Sequence, residues 1–171
     1  MNTQSHDEFW MREALLLAEE ASAKQEVPVG AVVVLHGEAV GRGYNRTVGS
    51  LDPSAHAEMV AIREAAAGVG NYRLGECDLY VTLEPCIMCA GLLVNARIRR
   101  LVFGARDLRF GGVRSKFQLA DSPLLNHRVD VVEGMLGEEC TRLLRAFFEI
   151  RRDESHRPLC SSRRQDESKE A

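Results

Sequence analysis

Two short stretches of the chain hold residue types that could do chemistry together. His56-Ala57-Glu58 stands at the expected start of one helix, and Pro85-Cys86-Ile87-Met88-Cys89 at the expected start of another. Alone, each is ambiguous. A single histidine near a helix start is more often a cap or a packed side chain, and a C-x-x-C can be a redox pair, half of a structural zinc site or two buried thiols. Together they say more. Cys86 and Cys89 are three residues apart, so both thiols lie on one helix face and can grip one ion. The positive end of the helix dipole favours their thiolates. His56 brings the donor set to three. Catalytic zinc sites commonly use three protein ligands and leave a position for water, whereas structural sites usually use four. No second histidine or third cysteine lies near either stretch, and Cys77 belongs to the start of a strand. Glu58, two residues from a ligand, need not bind the metal. It can take a proton from a zinc-bound water, whose pKa drops to about 7, and deliver it to a substrate. The expectation is one Zn2+ per subunit on His56, Cys86 and Cys89, with Glu58 catalytic.

The chain offers simple means to position these residues. Residues 7–24 read as an amphipathic helix, with Met11, Ala14, Leu15, Ala18 and Ala21 at helical spacing and Asp7 as its cap. Val29 to Leu35 reads as a buried strand and Glu38 to Tyr44 as its hairpin partner across Gly37. Ser54 caps a helix from about Ala55 to Ala67, Asp78 to Leu83 is a third strand, and Pro85 opens a helix over Cys86 to Ala96. Arg100 to Gly104 and Val129 to Val132 supply two more strands. Arg106 to Ala120 is a basic, glycine-rich loop with a helical turn, and Gly137 to Arg152 is a last helix with Cys140, Leu143, Leu144 and Phe147 on one side. Strands alternating with helices imply an α/β fold, a three-layer α/β/α sandwich on a five-stranded mixed sheet.

Bulk properties set limits. The 171 residues suit one domain, and 45% hydrophobic with 27% charged residues is ordinary for a globular protein. The domain is expected over residues 1–152, followed by a charged, disordered tail over 153–171. The first ten residues lack a signal-peptide pattern. The longest clean apolar run, Ala31 to Leu35, is too short to cross a bilayer, so a cytoplasmic protein without membrane contact is expected. Five cysteines, an odd number, argue against a disulfide framework. The net charge of −3 does not suggest a nucleic-acid binder. Between Arg97 and Lys116, however, seven cations face one acid, Asp107, and such a patch can attract phosphates. A solvated surface loop is the plain alternative.

The arrangement matches H-x-E … P-C-x-x-C, the pattern known for zinc deaminases of nucleobases, and so resembles the cytidine-deaminase-like superfamily. Longer stretches resemble one branch of it, the bacterial tRNA-specific adenosine deaminases. They include Val27 to Val32, Gly43-Tyr44-Asn45, Ala55 to Glu58, Asn71 to Leu74, Leu79 to Gly91, Phe103 to Asp107, Asn126 to Val129 and Phe147 to Arg152. The resemblance covers about residues 7–152. It implies conversion of the wobble adenosine of a tRNA anticodon stem-loop to inosine by a homodimer. It further implies that Asn45 contacts the base, that Asp107 and Asn126 lie near neighbouring nucleotides, and that Arg151 and Arg152 lie near the RNA backbone. One stretch departs from the family. After Asp107, where relatives are small and Gly/Ala-rich, this chain reads Leu108-Arg109-Phe110-Gly111-Gly112-Val113-Arg114-Ser115-Lys116, bulkier and more basic. Two other readings remain open at this stage. One is a deaminase of free bases, nucleosides or nucleotides, such as guanine or cytidine; the other is a fold in which zinc is only structural.

Overall fold

The computed structural model describes residues 3–155. In chain order the elements are α1 (Thr3–Ala23), β1 (Gly30–Leu35), β2 (Glu38–Tyr44), α2 (Ala57–Val69), β3 (Asp78–Leu83), α3 (Ile87–Asn95), β4 (Arg100–Ala105), β5 (Asp130–Glu133) and α4 (Gly137–Ser155). The five strands form one mixed sheet in the order β2-β1-β3-β4-β5. β1 pairs antiparallel with β2 and β3, while β3–β4 and β4–β5 are parallel. The architecture is the expected three-layer α/β/α sandwich, with helices packed on both faces of the sheet.

Successive side chains of a strand point to opposite faces, and here the alternation feeds two cores. Ala31 and Val33 of β1, Leu79 and Val81 of β3, and Leu101 and Phe103 of β4 pack with residues of α2 and α3. Val32, Val34, Tyr80 and Val102 pack on the other side with Trp10, Met11 and Ala14 of α1 and Cys140 of α4. Burial on both faces explains why β1 and β3 read as nearly continuous apolar runs. On the α2 side, Gly41 and Gly43 of β2 lie so close to α2 that a Cβ on either would overlap the helix backbone. These two glycines let α2 settle onto the sheet edge with its N-terminus beside the end of β3.

The structure corrects four sequence expectations. Asp7 is no helix cap: α1 begins at Thr3, and Asp7 is buried inside it. Its carboxylate accepts two hydrogen bonds from Arg100, at 2.8 and 2.7 Å, and one from the Tyr80 hydroxyl. A cap and an inward-facing charge look the same in sequence, because Arg100 lies 93 positions away. Ser54 does not cap α2, since its hydroxyl donates to Asp52 and the helix starts at Ala57. The 106–120 segment contains turns and an isolated bridge between Cys86 and Gly111, with no helix. Finally, α4 runs on to Ser155, three residues past the expected helix end at Arg152; beyond residue 155 the expected tail lies outside the described residues.

Candidate active site

The chemistry gathers where the N-termini of α2 and α3 meet at the end of β3. His56 is the N-cap of α2 and Cys86 the N-cap of α3, and neither uses its side chain to cap its own helix. Serine or aspartate would normally serve there. Leaving the caps unmade frees the imidazole and the thiol. For α2 the missing bond comes from elsewhere: Asn45 Oδ1 accepts the Ala57 N–H at 2.9 Å.

The donor atoms of His56, Cys86 and Cys89 all lie within 4.8 Å of one another. His56 Nδ1 is 3.7 Å from Cys86 Sγ and 3.6 Å from Cys89 Sγ. Zinc–sulfur and zinc–nitrogen bonds of about 2.3 and 2.0–2.1 Å at tetrahedral angles would set nitrogen and sulfur about 3.5–3.6 Å apart. The three residues therefore fit a zinc ion, one per chain, and no fourth histidine, cysteine or carboxylate joins them among the described residues.

Electrostatics in the metal-free cluster follow from crowding. A hydrogen bond from Cys89, with help from His56, outweighs burial and pulls the Cys86 thiol down to about 4. Cys89 is pushed the other way, first by that same hydrogen bond and then by burial. Glu58 is 3% exposed, and burial is the main cause raising its carboxyl to about 7.

Two buried carboxylates that the sequence did not single out shape the rim. Glu84, 2% exposed, sits two residues before Cys86. It accepts backbone N–H bonds from Asp107 at 3.0 Å, Val113 at 3.2 Å, Arg114 at 2.6 Å and Ser115 at 2.8 Å, and the Ser115 hydroxyl also donates to it. Burial opposes its charge, but these bonds hold its pKa below the usual carboxylate range. Gly112 N–H also donates to Pro85 O at 2.8 Å. A Cβ at Gly111 would overlap the Glu84 carboxyl, and one at Gly112 would press on the Cys86 backbone. The 107–115 loop is thereby fastened to the metal-ligating turn. Glu26 does the same for the loop after Asn45, accepting from Thr47 Oγ1, Val48 N and Gly49 N. The available signal was a lone acid at each end of an apolar run: Glu26 before Val27-Pro28-Val29, and Glu84 after Asp78–Leu83.

The remaining site expectations fall out unevenly. Asn45 lies next to His56 in space, with its Oδ1 taken by α2 and its amide NH2 without a partner among the described residues. Asp107 Oδ1 caps its own turn, accepting from Arg109 N and Phe110 N. Asn126 is exposed, its backbone oxygen held by Arg97 at 2.6 Å. Arg151 lies over the Phe147 ring on α4, and Arg152 is exposed one residue on. The basic stretch is less free than its composition suggested. Arg97 is bound to Asn126, Arg99 to Asp78, Arg100 to Asp7, Arg106 to Glu133 and Arg114 to Asp121. Only Arg109 and Lys116 have no such partner among the described residues.

Comparison with known proteins agrees with this geometry. Residues 4–105 match the cytidine and deoxycytidylate deaminase zinc-binding region. A tRNA-specific adenosine deaminase of Haemophilus influenzae is 48% identical over 86% of each chain. A solved structure from work on A-to-I editing by tRNA:A34 deaminases at the wobble position of transfer RNA is 44% identical, with a TM-score of 0.77 over 80% of this chain and 99% of that one. A guanine deaminase from Nitrosomonas europaea is more distant, at 27% identity and a TM-score of 0.73 over 82% of this chain and 83% of its own. With a zinc-fitting donor set at two converging helix starts, and with identity of this level along most of its length, the chain belongs to the tRNA-specific adenosine deaminase family of zinc-dependent deaminases.

Proposed function

We propose that this protein hydrolytically deaminates adenosine to inosine at the wobble position of a tRNA anticodon. The observation that carries this reading is the trio of His56, Cys86 and Cys89 donor atoms within 4.8 Å, with the buried carboxyl of Glu58 on the first turn of α2, the helix that His56 opens. Zinc, when bound, lowers the pKa of a water ligand to about 7. Glu58 would take a proton from the water as its oxygen adds to the amino-bearing carbon, and would pass that proton to the adjacent ring nitrogen. It then helps the amino group depart as ammonia. Burial, which raises a carboxyl above its usual range, suits a group that must both take and give a proton.

Asn45 holds the base by donating its free amide N–H to a ring acceptor, since its oxygen already serves α2. The base reaches the site unstacked, which costs less in an anticodon loop than in a duplex. Asp107 and Asn126 lie near the neighbouring nucleotides, and Arg151 and Arg152 near the RNA backbone. In this reading the enzyme works as a cytoplasmic homodimer with its catalytic unit in residues 1–152. Apolar side chains exposed near the site, such as Leu51, Ile87 and Met88, supply material for a subunit contact. No helix among the described residues is long and apolar enough to cross a membrane.

The test is to incubate zinc-loaded protein with a tRNA anticodon stem-loop bearing adenosine at the wobble position and with free nucleosides and bases, and to measure inosine and ammonia. Inosine in the RNA at the wobble position is expected. Turnover of free compounds alone would transfer the protein to the free-base class, and a monomer mass in light scattering would reject the dimer.

A further inference from the structure

The 108–117 loop carries side chains that the catalytic chemistry does not use. Leu108, Phe110 and Phe117 are 73%, 66% and 52% exposed, although apolar side chains of this size lose free energy by facing water. They alternate with Arg109 and Lys116, the two cations of the basic stretch with neither a carboxylate nor a backbone oxygen bound to the side chain among the described residues. All five are displayed from a rigid base. The Glu84 carboxylate gathers the backbone of Asp107, Val113, Arg114 and Ser115. The residue after Phe110 bridges the backbone of Cys86, a metal ligand. Phe110 is therefore one residue from the point where the loop touches the metal-binding turn.

We infer that this loop is a stacking shelf for the nucleotide next to the target adenosine, with Phe110 as its aromatic face and Arg109 and Lys116 as its phosphate contacts. Unpaired bases are held by aromatic faces, and their backbone by nearby cations. A shelf fixed in advance loses little entropy when the base arrives. The unneutralised charge favours a polyanion over a second copy of this chain, which would bring its own Arg109 and Lys116. Any base can stack, so the shelf adds affinity with little sequence preference. The inference rests on the proposed RNA substrate, and its test separates the two.

Full-length, zinc-loaded protein is titrated against an anticodon stem-loop carrying 2-aminopurine on one or the other side of the target. The wild type quenches the probe on one side. Phe110→Ala loses that quench and raises KM about tenfold or more, with a smaller change in kcat. Phe110→Tyr restores both. Replacing the same neighbour by an abasic nucleotide weakens the wild type but costs Phe110→Ala little more. Unchanged KM and quench in Phe110→Ala would overturn the shelf, as would equal abasic losses in the two proteins. A change of oligomeric state in Phe110→Ala, read by light scattering, would assign the face to a second copy and also overturn it. If the wild type makes no inosine from the stem-loop, the functional reading fails, whereas the quench comparison still decides the shelf.

Discussion

Glu58 sits where two demands meet. In the proposed reaction its carboxyl would have to stay off the metal and yet remain within reach of water, and α2 presents it two residues past His56, 3% exposed. Replacement by glutamine keeps the size and removes the proton relay. Glu58→Gln is expected to lower kcat by at least about 10²- to 10⁴-fold, the usual contribution of general acid–base catalysis, with zinc content unchanged by atomic absorption. Retained turnover would deny Glu58 that role, and lost zinc would make it a fourth ligand. The cysteines and histidine were legible in sequence because metal ligands come in fixed types at fixed spacings. Glu84 was not legible. Its partners, Asp107 and Val113 to Ser115, lie 23 to 31 positions further along, and a lone glutamate at a strand end carries no mark of the loop it will gather.

Elements are joined by a few buried charges that pattern reading places on the wrong side. The spacing of apolar residues located every strand and helix to within a few positions, since burial on one or two faces leaves a clear period. Polar groups turned inward leave none. Asp7 therefore looked like a cap, while in the fold it ties α1 to β4 through Arg100, with side chains only 4% and 16% exposed. Burial opposes its charge, but the bonds from Arg100 and Tyr80 hold its carboxyl below the ordinary 3.8. The stabilisation is fully present above the unfolded pKa and disappears as pH falls through the lower, folded one. Urea unfolding should therefore show stability dropping below about pH 4. Asp7→Asn should be less stable at pH 7 by about 3 kcal/mol, because it strands a buried guanidinium, and should lose less on acidification. Equal acid sensitivity in both proteins would place the titrating group elsewhere.

At the scale of the whole molecule, net charge is a poor guide to RNA binding. The chain carries −3, and five of the seven cations between Arg97 and Lys116 are committed to internal partners. Association with a stem-loop should depend on salt only modestly. The double variant Arg109→Ala/Lys116→Ala should flatten the slope of log affinity against log salt by about 0.7 per lost contact, whereas Arg106→Ala, whose charge Glu133 already answers, should leave it unchanged. An effect of Arg106→Ala as large as that of the double variant would show that the internal pairs open on binding. The fastening of the rim by Glu84 has one more consequence. Because Gly111 and Gly112 leave no room for a Cβ, while Leu108, Arg109, Phe110, Lys116 and Phe117 face outward, the loop divides into an immovable hub and an interchangeable margin. Substitutions in the margin are expected to alter which polynucleotide is held while the backbone contacts of Gly111 and Gly112 with the Glu84–Cys86 turn stay in place.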